Sequence, residues 1–232
     1  MNYTNMTQTN LAVSGTSPGF TLTPASASLN TKVNAGVTDV ITVATFGGVA
    51  APTLTVSSSP ALATGTTAAF AGNTLSVFPA PGTATGTYTL TVTGTSGSYT
   101  ASTTVTVTVG AEATFTIAAT SPMAVSRGLN LVIPASETVS IAKTNGLSSA
   151  ITLTAAVTAW PTGGAATGLK LGGISNVAAS TATSASETLT INPNGLLIPT
   201  GAYTVTITGT VAATGTSNAI TVTKTITVNV GL

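Results

Sequence analysis

From Gly86 to Val109 the chain reads GTYTLTVTGTSGSYTASTTVTVTV, in which threonine alternates with apolar residues almost without a break. Successive side chains of a strand point to opposite faces, so this alternation puts Tyr88, Leu90 and Val92 on one face and threonines on the other. Val105, Val107 and Val109 repeat the pattern in a second run. A helix would scatter the same residues around its axis, so the segment is predicted to be a half-buried β-hairpin. The pattern then occurs a second time, from Gly201 to Val230, with Tyr203, Val205 and Ile207 followed by Ile226, Val228 and Val230.

The duplication reaches well beyond the hairpin. Phe20 in FTLTP matches Phe115 in FTIAA, TDVITVATFGG from Thr38 matches SETVSIAKTNG from Ser136, and NTLSVFP from Asn73 matches ETLTINP from Glu187. A whole domain is therefore repeated, with one copy expected at 18–110 and the other at 111–232. Residues 1–17 have no counterpart and form an N-terminal extension. The second copy is longer, through insertions around Leu169 to Ser184 and in its last hairpin. Each copy divides into seven or eight short strands punctuated by Gly, Pro, Ser and Asn, which predicts an all-β antiparallel sandwich. In copy one the strands are expected near 20–23, 28–33, 38–45, 52–57, 66–70, 74–78, 86–94 and 102–109.

Composition then narrows the chemistry. Of 232 residues only nine are charged, the net charge is +1, and there is no His and no Cys, whereas 53 are Thr. Imidazole and thiol catalysis, disulfides and His/Cys zinc sites are excluded. Four carboxylates leave little for acid–base work, so no enzyme activity, catalytic residue, cofactor or metal is expected. A near-neutral chain also lacks the electrostatic grip that nucleic acid requires. No apolar run approaches the roughly 20 residues of a membrane-spanning helix, so no membrane insertion is expected. The opening MNYTNMTQTN is polar and shows no signal peptide, which fits a mature secreted product or a phage structural component.

At TLSVFPAPGTATGTYTLTVTGTSG from Thr74, and again at ETLTINPNGLLIPTGAYTVTITGT from Glu187, the chain resembles the penultimate strands of immunoglobulin-like repeats in large bacterial and archaeal surface proteins. SSAITLTAAVTAWPTGGAATGLKL from Ser148 is similar to the middle of such repeats. The resemblance implies two tandem immunoglobulin-like sandwiches at the cell surface or outside the cell. It does not choose among spacer, adhesin, enzyme accessory and filament subunit, because fold alone does not carry function.

The extension MNYTNMTQTNLAVSGTS contains Leu11 and Val13 with one parity, and Tyr3 and Met6 upstream. Such a segment can add to an open sheet edge of another subunit, main-chain hydrogen bonds giving affinity and alternate side chains giving register. This resembles the donor-strand exchange of certain bacterial and archaeal pili and implies a head-to-tail homopolymer, with copies of itself as partner. The alternatives are an adhesin or spacer that meets surface glycans or other cells, and a phage decoration protein. Asn2 and Asn5 carry N-glycosylation acceptor patterns.

Few ionisable groups remain to be placed. Asp39 aligns with Glu137 at the start of equivalent strands, where both are expected to be solvated. Lys224 shares the parity of Val222 and Ile226, while Glu187 shares that of Leu189 and Glu137 that of Val139. An inward Lys beside an acid and an Asn is the set used by intramolecular isopeptide bonds, so Lys224, Glu137 and Glu187 form a candidate; a bulge that lets Lys224 reach water is the competing reading. Asn192, Asn194 and Glu187 lack the spacing and charge of a calcium loop. Trp160, in AWPTGG, is expected to pack in the core or against a turn, with a sugar-stacking platform as the alternative.

Overall fold

A computed structural model describes residues 17–127 and 132–232. The chain is all-β. It divides into two compact units, one of residues through Thr31 with Gly36–Val109, the other of Lys32–Ala35 with Gly110–Leu232. Both are immunoglobulin-like sandwiches of mainly antiparallel strands.

In the first unit β1 (Gly19–Pro24), β3 (Val37–Phe46), β6 (Thr74–Phe78) and β5 (Thr67–Ala71) make one sheet, in the order β1-β3-β6-β5. The facing sheet runs β2-β8-β7-β4, from β2 (Ser28–Lys32), β8 (Tyr99–Gly110), β7 (Gly86–Ser96) and β4 (Thr53–Ser59). Alternation decides the core as expected: Ile41, Leu75, Leu90, Val92, Val105 and Val107 are fully buried. The β7–β8 hairpin is tighter than the sequence reading allowed, because Ser96 pairs directly with Tyr99. Gly97 takes φ +57° in that two-residue turn, a conformation glycine adopts without a Cβ clash.

The second unit repeats the plan with β9 (Thr114–Ala118), β10 (Met123–Arg127), β11 (Val132–Ile133), β12 (Ala135–Thr144), β13 (Thr152–Ala159), β14 (Leu169–Leu171), β15 (Ser184–Pro193), β16 (Gly201–Val211) and β17 (Ile220–Gly231). One sheet runs β11-β10-β17-β16-β13 and the other β14-β15-β12-β9. Strand β10 pairs with β17 in parallel, whereas β9 pairs with β12 antiparallel, so the chain changes sheets between β9 and β10. The sequence predicts the hairpin β16–β17 well, and its added residues form the 212–219 connection.

Three devices recur in both units. A glycine near the end of the hairpin's first strand makes room for an aromatic ring from the opposite sheet: a Cβ on Gly94 would lie 2.8 Å from the ring of Phe20, and one on Gly209 would lie 2.7 Å from that of Phe115. A tyrosine corner closes each hairpin's entry, Tyr88 donating its hydroxyl to Ala84 O at 2.8 Å and Tyr203 to Pro199 O at 3.2 Å. Third, Asp39 and Glu137 hold the segment that leaves the first strand.

That third device corrects the expectation of solvated acids, since Asp39 is 5% and Glu137 6% exposed. Asp39 Oδ1 accepts the Ser26 amide at 3.1 Å, and Glu137 Oε1 accepts that of Thr120. Both amides fall just after β1 or β9, where the chain quits its ladder and loses a strand partner. A buried carboxylate supplies the missing acceptor. Glu137→Ala is therefore expected to destabilise the second unit by about 1–3 kcal/mol, with Glu137→Gln recovering part of it, as read from urea unfolding.

Candidate functional site

Among the described residues the ionisable groups do not assemble into a reactive set. Lys224 is half-buried on β17, in the five-stranded sheet, while Glu137 and Glu187 stand on β12 and β15 of the facing sheet. Neither acid forms an ion pair with Lys224 among the described residues. The buried cation of this unit is instead Lys143, 5% exposed, whose Nζ donates to Ser149 O and Ser180 O at 3.4 Å each. A cavity of about 70 Å3 lies beside it. Its parity with Val139 and Ile141 was the available sequence signal, but its partners come from two connecting loops that no pattern places. Among the described residues no cluster of acids could hold a metal ion. Asn2, Asn5, Tyr3, Met6, Leu11 and Val13 lie outside the described residues.

A different feature stands out at one end of the second unit. The loop from Asn194 to Thr200 is fastened at three points. Asn194 donates its side-chain amide to Thr167 O at 2.8 Å and its backbone amide to Gly168 O at 2.9 Å. Arg127 Nη1 donates to Leu196 O at 2.5 Å, and the Tyr203 hydroxyl donates to Pro199 O. Between these ties Ile198 turns into the core, and Leu197 is left 95% exposed.

Other large apolar side chains of this unit are exposed as well. Ser126 pairs with Ile133 on one side and Gly231 on the other, which brings half-exposed Ile133 and the terminal Leu232, 91% exposed, to the strand that carries Arg127. Trp160 is half-exposed and so does not lie in the core, one of the two packings expected of it. Its neighbour Pro161 abuts Gly201, where a Cβ would come within 3.1 Å of Pro161 Cβ. Gly201 has φ +129°, so a side chain there would be strained as well as crowded. Burying one Leu is worth about 1.5–3 kcal/mol, so a loop pinned to hold Leu197 in water forgoes that energy.

Tyr203 supports this end from beneath. A Cβ on Gly168 would lie 2.7 Å from its hydroxyl, so the 3-10 turn Ala166–Gly168 packs directly on it. Burial pushes the phenol above its ordinary value of 10.0, and the Arg127 charge partly offsets this. The folded chain thus holds the phenolic proton more tightly than the unfolded chain. That stability is fully present below the unfolded value and is lost as pH rises through the folded one. Tyr203→Phe is expected to flatten the alkaline arm of a plot of urea midpoint against pH.

No family model matches the chain, and neither does any curated protein. Solved structures do. The chain is similar to domains 4 and 5 of the S-layer protein SbsC, at 21% identity and TM-score 0.32, over 84% of this chain and 82% of that one. It is similar to BT4661, a SusE-like surface located polysaccharide binding protein from Bacteroides thetaiotaomicron, at 14% identity and TM-score 0.36, over 91% of this chain and 33% of that one. AggA, the major subunit of aggregative adherence fimbriae type I from Escherichia coli, matches at 14% identity and TM-score 0.33, over 52% of this chain and 96% of that one. At these scores the likenesses carry no argument about function.

Proposed function

We propose that the chain is a non-enzymatic structural subunit of an extracellular filament, and that residues 1–17 of one copy dock on the apolar end of the second unit in the next. The pinned loop that exposes Leu197 carries this reading, because it is a built apolar surface with no partner in its own unit among the described residues. The extension supplies apolar residues of its own, Tyr3, Met6, Leu11 and Val13. Its 17 residues span at most about 3.3–3.6 Å each when extended, long enough to cross a neighbouring unit. A contact between two different surfaces does not close on itself and propagates as a filament.

The scarcity of catalytic groups supports the non-enzymatic part. With no His or Cys and four acids, two of them buried as strand clamps, the chain has few groups for acid–base work. Negative-stain microscopy of the purified full chain is expected to show filaments of uniform width. Isolated particles at every concentration would contradict the proposal.

A further inference from the structure

We infer that the second unit holds a carboxylate-binding pit floored by Lys143, a site with no part in the end-to-end contact proposed above. Lys143 is 5% exposed, and its Nζ has two partners, Ser149 O and Ser180 O, at 3.4 Å each. These contacts are longer than the roughly 2.7–3.2 Å of an ordinary N–H···O bond. An ammonium carries three donors and a full charge, which two distant carbonyls leave largely unmet. No acid pairs with it among the described residues. Of the unit's three acids, Glu112 accepts from the Asn34 side chain and Glu137 from the Thr120 amide. Glu187 lies opposite Val139, which stands roughly 13 Å along β12 from Lys143. A buried cation without a counter-charge is costly, and a bound anion removes that cost.

Space for that anion is already built. The cavity of about 70 Å3 beside Lys143 is walled by Gly146, Leu147 and Ser148 on one side and by Thr181, Ala182 and Thr183 on the other. Lys143 and Leu147 are buried, whereas Ser148 and the three residues of the second wall are exposed, so the pit opens to solvent. Both walls are tied down. Ser180 N donates to Ser148 O at 2.9 Å, Lys143 N donates to Thr183 O at 2.8 Å, and Ile151 and Val177 exchange backbone bonds in both directions. A site formed before its ligand arrives has little ordering left to do. Its volume is more than twice the roughly 30 Å3 that a water takes in the liquid, room for a carboxylate and its first carbon. One positive charge among hydroxyl residues suits a singly charged, two-oxygen group better than a phosphate dianion. The first copy lacks the whole arrangement. Where the second has Lys143 it has Thr45, which is exposed, and the wall from Ser180 to Thr183 belongs to the insertion found in the second copy alone.

The test is 13C NMR of carboxyl-labelled acetate and glucuronate, each added to the full chain. Wild-type protein is expected to broaden the acetate line, and Lys143→Met, which keeps the side chain's length without its charge, to cut that broadening about tenfold. Ala182→Glu leaves the buried lysine in place and supplies a counter-charge from the rim, so it should cut the broadening as well. That exposed position keeps the test decisive if Lys143→Met fails to fold. Labelled glucuronate separates two sources of the same group: broadening equal to that of acetate assigns the pit to carboxylates borne on sugars, and a sharp line assigns it to small free ones. Wild-type protein that leaves both lines sharp, or folded variants that broaden acetate as much as wild type does, would overturn the inference. The pit lies within one unit, so the result is the same whether or not the chains polymerise.

Discussion

Deleting residues 1–17 is expected to leave a soluble monomer under conditions where the full chain forms filaments. Tyr3, Met6, Leu11 and Val13 are the apolar residues the extension offers, and each is worth about 1.5–3 kcal/mol when fully buried. Several kcal/mol of that sum offset the loss of free motion on association and the ordering of the segment. Loss of the whole segment nonetheless removes every contact of this kind, so the expected effect is all or none. Light scattering behind a sizing column reads it directly. A synthetic peptide of residues 1–17 should also cap the growing end and shorten filaments of the full chain. Truncated protein that still polymerises would show that another surface joins the subunits.

The largest effect on stability is expected where Phe115 meets Gly209. Phe115 is 1% exposed in the core of the second unit, and Phe115→Ala is expected to cost about 3–5 kcal/mol through lost burial and the cavity left behind. Gly209→Val drives two methyls toward a ring that already lies 2.7 Å from the first added carbon, and should cost at least about 1–3 kcal/mol by overpacking. The two changes touch the same space, so the double variant should be more stable than the sum of the singles predicts. Hydrogen exchange resolved by peptide should place the loss of protection in β9 to β17. Equal loss in β1 to β8 would show that the units do not unfold separately.

Period-two alternation made most of this fold legible, because burial of one sheet face is a constraint that every strand obeys. The repeat matches Phe20 with Phe115, but the seating of each ring over Gly94 or Gly209 appears only in the structure. What alternation misses are residues whose partners lie in connections. Asp39 and Glu137 read as strand-end acids, yet each is buried by the change of sheets that follows the first strand. Lys143 has the parity of a core residue, but its carbonyl partners at Ser149 and Ser180 belong to loops. The string LLIP reads as one apolar stretch. Only the ties from Arg127 and Tyr203 decide that Ile198 goes in and Leu197 stays out.

The central claim is that the extension of one chain seats on the second unit of another. It is tested most directly by mixing isotopically heavy and light chains, each with a photoreactive leucine analogue in place of Leu11, and allowing them to assemble before irradiation. Mass spectrometry is predicted to find heavy-to-light cross-links joining position 11 to peptides that contain Trp160 or Leu197. Cross-links confined to heavy–heavy and light–light pairs would place the extension on its own chain and contradict the account.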